Sequence, residues 1–446
     1  MDLEPLKYFD SLYPPETRHE EIQGLIPYLE KGLSSQLIGL PGTGKSNVMR
    51  LLAYNRDARF KSFGEYEKYL HFVYLDCAEI KDKPLYDVTK YILISLTFTL
   101  GERRMDEEAR RVNEYLKEGL EGNDEMILFQ SLKKSLDFLS MEKKLTINLL
   151  FDRFDYIIPD LTPQFFNNLK ILRNHAKYRF GSIFSATRPL EDVVDYMLMD
   201  DFYDLIAGNI VYISLYDKSW IDFRASYIEK AARKTLDPKR KEEIIGLTGG
   251  HAKLSKLSFE SVITEEEEIN NLEEYLLKKP TIQKSLSELW SGLLPSEQVA
   301  VKRNIKIEEA TKDFPYLVKT HLIGSGGIAI PLFVSYIKTV PIESTEKLMF
   351  DEEKNEIMLG TESVTDRLSP SEFKLMKYLI QNSDKLCSKD EIINSVWGEQ
   401  KSQDGVTDQA LDQIFYRLRK KIEKDPSNPS YIHTVKGKGY RLTLKA

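Results

Sequence analysis

Cysteine is nearly absent. Cys77 and Cys387 are the only two in 446 residues, far apart and in ordinary apolar or helical company, which excludes a disulfide framework and points to a reducing compartment. The six histidines stand singly, and no metal-ligand spacing links them. No apolar run approaches the roughly 20 residues that cross a bilayer, and the opening Met1-Asp2-Leu3-Glu4 has no apolar stretch of the secretory kind. These absences predict a cytoplasmic protein without a membrane partner. A surplus of positive charge is missing too. The formal net charge is −7, so the molecule is no general polyanion binder, and any charge-driven recognition must come from local distribution. No internal repeat or low-complexity tract appears.

What remains is a globular composition, 41% hydrophobic and 30% charged, able to bury real cores. At about 150 residues per domain the length predicts roughly three domains.

One stretch organises the rest. Gly39-Leu40-Pro41-Gly42-Thr43-Gly44-Lys45-Ser46 fits G-x-x-x-x-G-K-[ST], in which glycines let backbone N–H groups turn inward on phosphate oxygens. The spacing predicts that Gly39, Pro41, Gly42, Thr43, Gly44, Lys45, Ser46 and Asn47 hold an adenine nucleotide, ATP or ADP. Lys45 would reach the β- and γ-phosphates, Ser46 would hold Mg2+, and the dipole of the following helix would add to the cradle. The context suits the motif: Gln36-Leu37-Ile38 reads as a strand before it, and Val48, Leu51 and Leu52 as one side of a helix after it. Upstream, residues 20–29 form a short amphipathic helix that either covers the adenine or only packs.

Further strands follow. Phe72-Val73-Tyr74-Leu75-Asp76 is a buried run, and Leu145-Thr146-Ile147-Asn148-Leu149-Leu150-Phe151-Asp152 is an apolar strand ending in an acid, the pattern that places Asp152 beside Mg2+. Residues 183–188 and 210–215 complete a set of strands alternating with helices, one from Pro84 to about Gly101, another opening at Pro189. Continuous apolar strands between helices predict an α/β core with a parallel sheet covered on both faces, and ligands bind outside the carboxyl ends of such strands. Gly39, Asp152 and Arg188 all fall at those ends. The predicted organisation is a nucleotide-binding domain over 1–216, a helical lid over 217–280, an internal winged-helix-like α+β unit over 281–342, and a C-terminal α+β domain over 346–446.

The last domain carries 17 Lys and Arg against 17 Asp and Glu. From residue 417 onward, Arg417, Arg419, Lys420, Lys421, Lys424, Lys436, Lys438, Arg441 and Lys445 face only Glu423 and Asp425, a footprint suited to double-stranded DNA. Helices are expected after the Ser369-Pro370-Ser371-Glu372 capping box, over 389–397 and over 407–424, with a hairpin turning at 436–439. On the last helix Leu411, Ile414 or Phe415, Leu418 and Ile422 make a buried stripe. Gln409, Asp412, Gln413, Tyr416, Arg417 and Lys420 are then left outward, able to reach base edges in a major groove, with Lys436 and Lys438 on phosphates or the minor groove.

These stretches carry resemblances. Residues 346–446 resemble the OmpR/PhoB-type winged-helix DNA-binding domain along their length, most specifically through Val396-Trp397-Gly398, Arg417-Leu418-Arg419-Lys420-Lys421-Ile422 and Tyr431-Ile432-His433-Thr434-Val435-Lys436-Gly437-Lys438-Gly439-Tyr440-Arg441. The family's usual receiver domain is not visible, and the P-loop region stands in its place. Residues 1–340 resemble, more loosely, the STAND class of P-loop ATPases, relatives of AAA+ and origin-recognition proteins, through the P-loop, Asp152, Ser185-Ala186-Thr187-Arg188 and Leu247-Thr248-Gly249-Gly250. That resemblance implies that Arg188 senses the γ-phosphate. It also marks two departures: Arg153 where hydrolysing members carry a second acid, with Asp155 nearby but displaced, and Ala252 where they carry Pro. Hydrolysis is accordingly expected to be slow or absent, with nucleotide state acting as a switch on the DNA-binding domain. The same features suit a defence or signalling ATPase that forms homo-oligomers on sensing nucleic acid or a protein trigger, or an origin-type loader.

Overall fold

The computed structural model describes residues 8–194, 196–340, 347–360, 362–398 and 408–444. The expected helix start at Thr407, the change of character at 341–345 and the basic residue Lys445 lie outside them. The chain divides into two compact units: Met1–Leu190, Met197–Ser285 and Lys319–His321 form the first, and Glu191–Tyr196, Leu286–Val318 and Leu322–Ala446 the second.

The first unit is built on a five-stranded parallel sheet. Its strands are β1 (Ser35–Ile38), β2 (Leu70–Asp76), β3 (Thr146–Asp152), β4 (Phe180–Ala186) and β5 (Ile210–Tyr212), in the order β2-β3-β4-β1-β5. Every residue of β1, β3 and β4 is buried, as unbroken apolar strands require when both faces are covered. Helices α1 (His19–Leu29), α2 (Lys45–Tyr54), α3 (Leu85–Glu102), α4 (Asp106–Glu121), α5 (Glu125–Asp137) and α6 (Pro163–His175) supply that cover. Strand β5 stops at Tyr212 rather than continuing to Leu215, because Ser214 turns to other partners: its N–H donates to Glu21 and its carbonyl accepts from Arg18.

Beyond the sheet come α7 (Lys218–Ala232), capped by Asp217, then α8 (Pro238–Thr248) and α9 (Ala252–Ile263). The turn between the last two takes two successive left-handed residues, Gly249 at φ 58° and Gly250 at φ 74°. A Cβ on Gly250 would sit 2.6 Å from the Tyr216 ring, so both the backbone and the space demand glycine.

The second unit holds α10 (Pro295–Lys302), the two-stranded β6 (Ile323–Gly324) and β7 (Gly327–Ile328), and α11 (Pro331–Thr339). Its C-terminal part opens with the antiparallel strands β8 (Leu348–Asp351), β9 (Glu356–Leu359) and β10 (Glu362–Ser363). Helices α12 (Pro370–Gln381), α13 (Lys389–Trp397) and α14 (Asp408–Ile422) follow, with β11 (Leu386–Cys387) between the first two. The closing hairpin β12 (Ile432–Val435) and β13 (Gly439–Leu442) forms a sheet in the order β11-β13-β12. Ser369 and Glu372 close the capping box on α12, and Ser388 and Glu391 close one on α13. Three helices with a terminal hairpin make this part a winged helix. Among the described residues no helix is long and apolar enough to cross a membrane.

Candidate functional site

The P-loop links β1 to α2. Gly42 and Gly44 take φ of 78° and 101°, and Thr43 is buried, its hydroxyl and its N–H both turned back on the Leu40 carbonyl. Asn47 N–H and Val48 N–H donate to Gly44. The amides of Gly42, Gly44, Lys45 and Ser46 are left with no acceptor among the described residues, a row of unspent donors at a helix N-terminus. Lys45 Nζ donates to the loop's own Gly39 and Leu40 carbonyls at 2.7 and 3.1 Å. Burial holds its ammonium below the ordinary lysine range, against the pull of Asp155 and Asp152. A half-buried cation, free amides and a loop with glycine at 39, 42 and 44 are the donor set that polyphosphate needs, so the residues fit a nucleotide. When bound, the nucleotide supplies a phosphate charge that Lys45 can meet in place of the loop carbonyls.

Two neighbours that sequence reading did not single out hold this loop. Arg18 is fully buried; its guanidinium donates to Thr43 O (2.7 Å), Ser214 O (2.8 Å) and Glu21 (3.1 Å). His251 donates from Nε2 to Pro41 O at 2.8 Å, while its Nδ1 accepts from Leu254 N–H at the start of α9. Burial pushes its pKa down to about 4, keeping the ring neutral in the one tautomer that serves both bonds. Lys253 N–H also reaches Gly42 O, and a Cβ on Gly42 would stand 2.9 Å from both His251 Cε1 and Lys253 Cβ. The glycine turn after α8 thus seats the N-terminus of α9 on the P-loop. Asn47 faces the Asp10 carboxylate at 3.4 Å, and α1 packs by its apolar side against β5 and α2.

At the adjoining strand ends Asp152 is fully buried; its carboxylate accepts from Tyr74 OH at 2.7 Å and from Arg153 N–H at 3.0 Å. Burial, with the Asp152 charge beside it, raises the Tyr74 phenol well above its ordinary range, so it stays a donor. A carboxylate has about four lone-pair positions, so Asp152 keeps acceptor capacity, and it and the Ser46 hydroxyl are the residues that would hold a hydrated Mg2+. Among the described residues no group of three or more His, Cys, Asp or Glu side chains is placed to hold a metal; a magnesium held mostly by water and phosphate needs none. Asp155 is spent on the end of β4, both oxygens accepting from Thr187 N–H and one from the Thr187 hydroxyl. Arg188 follows that strand end and is 8% exposed.

In the winged helix, α14 buries Leu411, Ile414, Phe415, Leu418 and Ile422. Gln409, Asp412 and Gln413 are exposed, Tyr416 is 54% exposed and Lys420 is half-buried. Arg417 is not outward as expected. It is 9% exposed, on the flank of α14 that meets α12, because the buried Glu372 of the capping box draws cations to it. Lys421 Nζ lies 2.7 Å from that carboxylate and Arg417 Nε 3.8 Å, while Arg417 Nη1 donates to Val194 O at 2.9 Å. Arg419 is also partly spent, donating to the Ile432 carbonyl and the Thr434 hydroxyl of the hairpin. Asp412 accepts from Tyr440 OH at 2.6 Å and pairs with Lys389 at 2.8 Å, bonds that outweigh burial and hold its carboxyl below the usual range. Lys436, Lys438 and Arg441 are exposed. Tyr440 stacks on Phe415 with ring centres 3.4 Å apart, fixing hairpin to helix.

Fold and site together define an α/β P-loop unit and a winged-helix unit in one chain. Residues 365–442 match the family model described as "Transcriptional regulatory protein, C terminal", and the C-terminal domain is of the OmpR/PhoB type. The sensory transduction protein RegX3 of Mycolicibacterium smegmatis is 39% identical over 92 residues, 21% of this chain and 38% of that protein; the chain therefore spans little more than a third of such a relative. Among solved structures, the RstA DNA-binding domain of Klebsiella pneumoniae in complex with the RstA box is similar at 25% identity, over 23% of this chain and 99% of that one, with a TM-score of 0.19. The Walker-type ATPase paby2304 of Pyrococcus abyssi is similar at 16% identity, over 76% and 99%, with a TM-score of 0.44.

Proposed function

We propose that the protein is a DNA-binding transcriptional regulator whose winged helix is controlled by ATP or ADP held in the P-loop. In this reading the exposed row Gln409, Asp412, Gln413, Tyr416 and Lys420 meets base edges, while Lys436, Lys438 and Arg441 meet phosphate. Buried Arg417 is left out of base reading and positions α14 instead. Arg188 follows the phosphate state at the end of β4, the role that the STAND resemblance implies, and α7, α8 and α9, which fall within the expected lid of residues 217–280, close on the nucleotide through His251 and Lys253.

The observation that carries the reading is the hydrogen bond from Arg417 to Val194. Val194 lies six residues past Arg188 in the chain, and Glu191–Tyr196 belongs to the same compact unit as α14. A displacement at the strand end thereby has a route to that helix, along the chain from Arg188 to Val194 and then across one hydrogen bond. Gating requires that ATP bind two arrangements unequally. Gel-shift titrations of the full chain with no nucleotide, ADP and ATP, for wild type and Lys45→Ala, test this: DNA affinity is expected to change with nucleotide in the wild type alone. Identical DNA affinity in every lane would remove the reading.

A further inference from the structure

Position 153 holds an arginine where the STAND resemblance implies a second acid, and the structure shows what that arginine does. Strands β2 and β3 are parallel and in register, so Asp76 at the end of β2 lies opposite Asp152 at the end of β3. Arg153 takes a left-handed backbone, φ 55°, uncommon for a non-glycine residue and a form of strain that gathers at working sites. From that turn its guanidinium crosses to β2 and grips Asp76 with two hydrogen bonds, Nε to Oδ1 at 2.9 Å and Nη2 to Oδ2. The grip raises the Arg153 pKa further. Asp76 Oδ1 also accepts from the Ala78 N–H at 3.0 Å, but Arg153 is its charged partner; the other two acids at this edge are held by neutral donors alone, Asp152 by Tyr74 and a backbone amide, Asp155 by Thr187.

We propose that Asp76 is the acid able to serve the reacting water of ATP hydrolysis, and that Arg153 is a positioning residue that keeps it clamped and the reaction slow. This rests on the nucleotide reading above. Freed of the guanidinium, the Asp76 carboxylate accepts a proton from water as the water oxygen bonds to the γ-phosphorus. The bond from that phosphorus to the β,γ-bridging oxygen breaks, its electron pair leaving on ADP; inorganic phosphate departs and the proton passes from Asp76 to solvent.

The test uses the full chain, with a fluorescent ATP analogue for affinity and single-turnover hydrolysis for rate. Arg153→Ala is expected to raise the rate about tenfold or more, within the usual range for a positioned base, while affinity stays within about twofold. The gain should vanish in Arg153→Ala/Asp76→Asn and survive in Arg153→Ala/Asp155→Asn. Without nucleotide, a double-mutant cycle on melting temperature should show coupling between Arg153 and Asp76. No rate gain with affinity intact, a gain that outlasts Asp76→Asn, or no coupling overturns the proposal. Wild-type protein that binds no ATP overturns the nucleotide reading and this inference with it.

Discussion

His251 is where one side chain decides two structures at once. Its Nε2–H holds Pro41 of the P-loop and its Nδ1 caps α9; a second proton would occupy Nδ1 and abolish the cap. The folded pKa of about 4 lies below the ordinary 6.5, so the neutral ring is the form that folding favours. Its contribution is complete above pH 6.5 and is lost as pH falls from there toward about 4, at no more than about 1.4 kcal/mol per pH unit. Thermal melts at pH 7.5 and pH 5 should show a smaller acid-induced drop in His251→Asn than in wild type; equal drops would contradict the assignment. None of this could be read along the chain, because the partner of His251 lies 210 positions away. The same holds for Arg18 on Thr43 and for Asp76 opposite Asp152, which depend on strand order and register. The glycine requirement at positions 42 and 44 was legible, since it is local and chemical.

At the scale of elements, α14 shows what periodicity can and cannot deliver. A 3.6-residue repeat puts Leu411, Ile414 or Phe415, Leu418 and Ile422 inside and Gln413 and Tyr416 outside; the structure buries both Ile414 and Phe415 and otherwise agrees. It misplaces Arg417, because an arginine on the flank is treated as solvent-facing unless a buried carboxylate is known to wait there. The capping boxes at Ser369 and Ser388 were legible for the opposite reason: three residues of sequence contain the whole device. Tyr416→Ala or Gln413→Ala should relax base preference at one operator position by about 1–3 kcal/mol, read by competition with single-base variants of the site. Lys438→Ala should weaken all sequences alike and reduce the salt slope by about one contact. Arg417→Ala leaves Glu372 to Lys421 alone and removes the bond to Val194; it is expected to lower the melting temperature of the C-terminal domain and to blunt any nucleotide effect on DNA binding. A variant that instead lost preference at one base position, with the nucleotide effect intact, would put Arg417 back among the base readers.

For the whole molecule, composition established only that cores could be built. The parallel α/β core and the winged helix were readable because each is made of short repeated patterns. The division of the chain was not. Glu191–Tyr196 belongs to the second compact unit while the chain on both sides belongs to the first, an interleaving that no composition shift announces. Under the proposed nucleotide control, the coupling between the two binding events is reciprocal. The decisive measurement is therefore ATP affinity of the full chain, titrated with and without its duplex operator. If the account holds, DNA changes ATP affinity by the same factor by which ATP changes DNA affinity, and Arg417→Ala brings both factors toward one. ATP affinity indifferent to a saturating operator would contradict it.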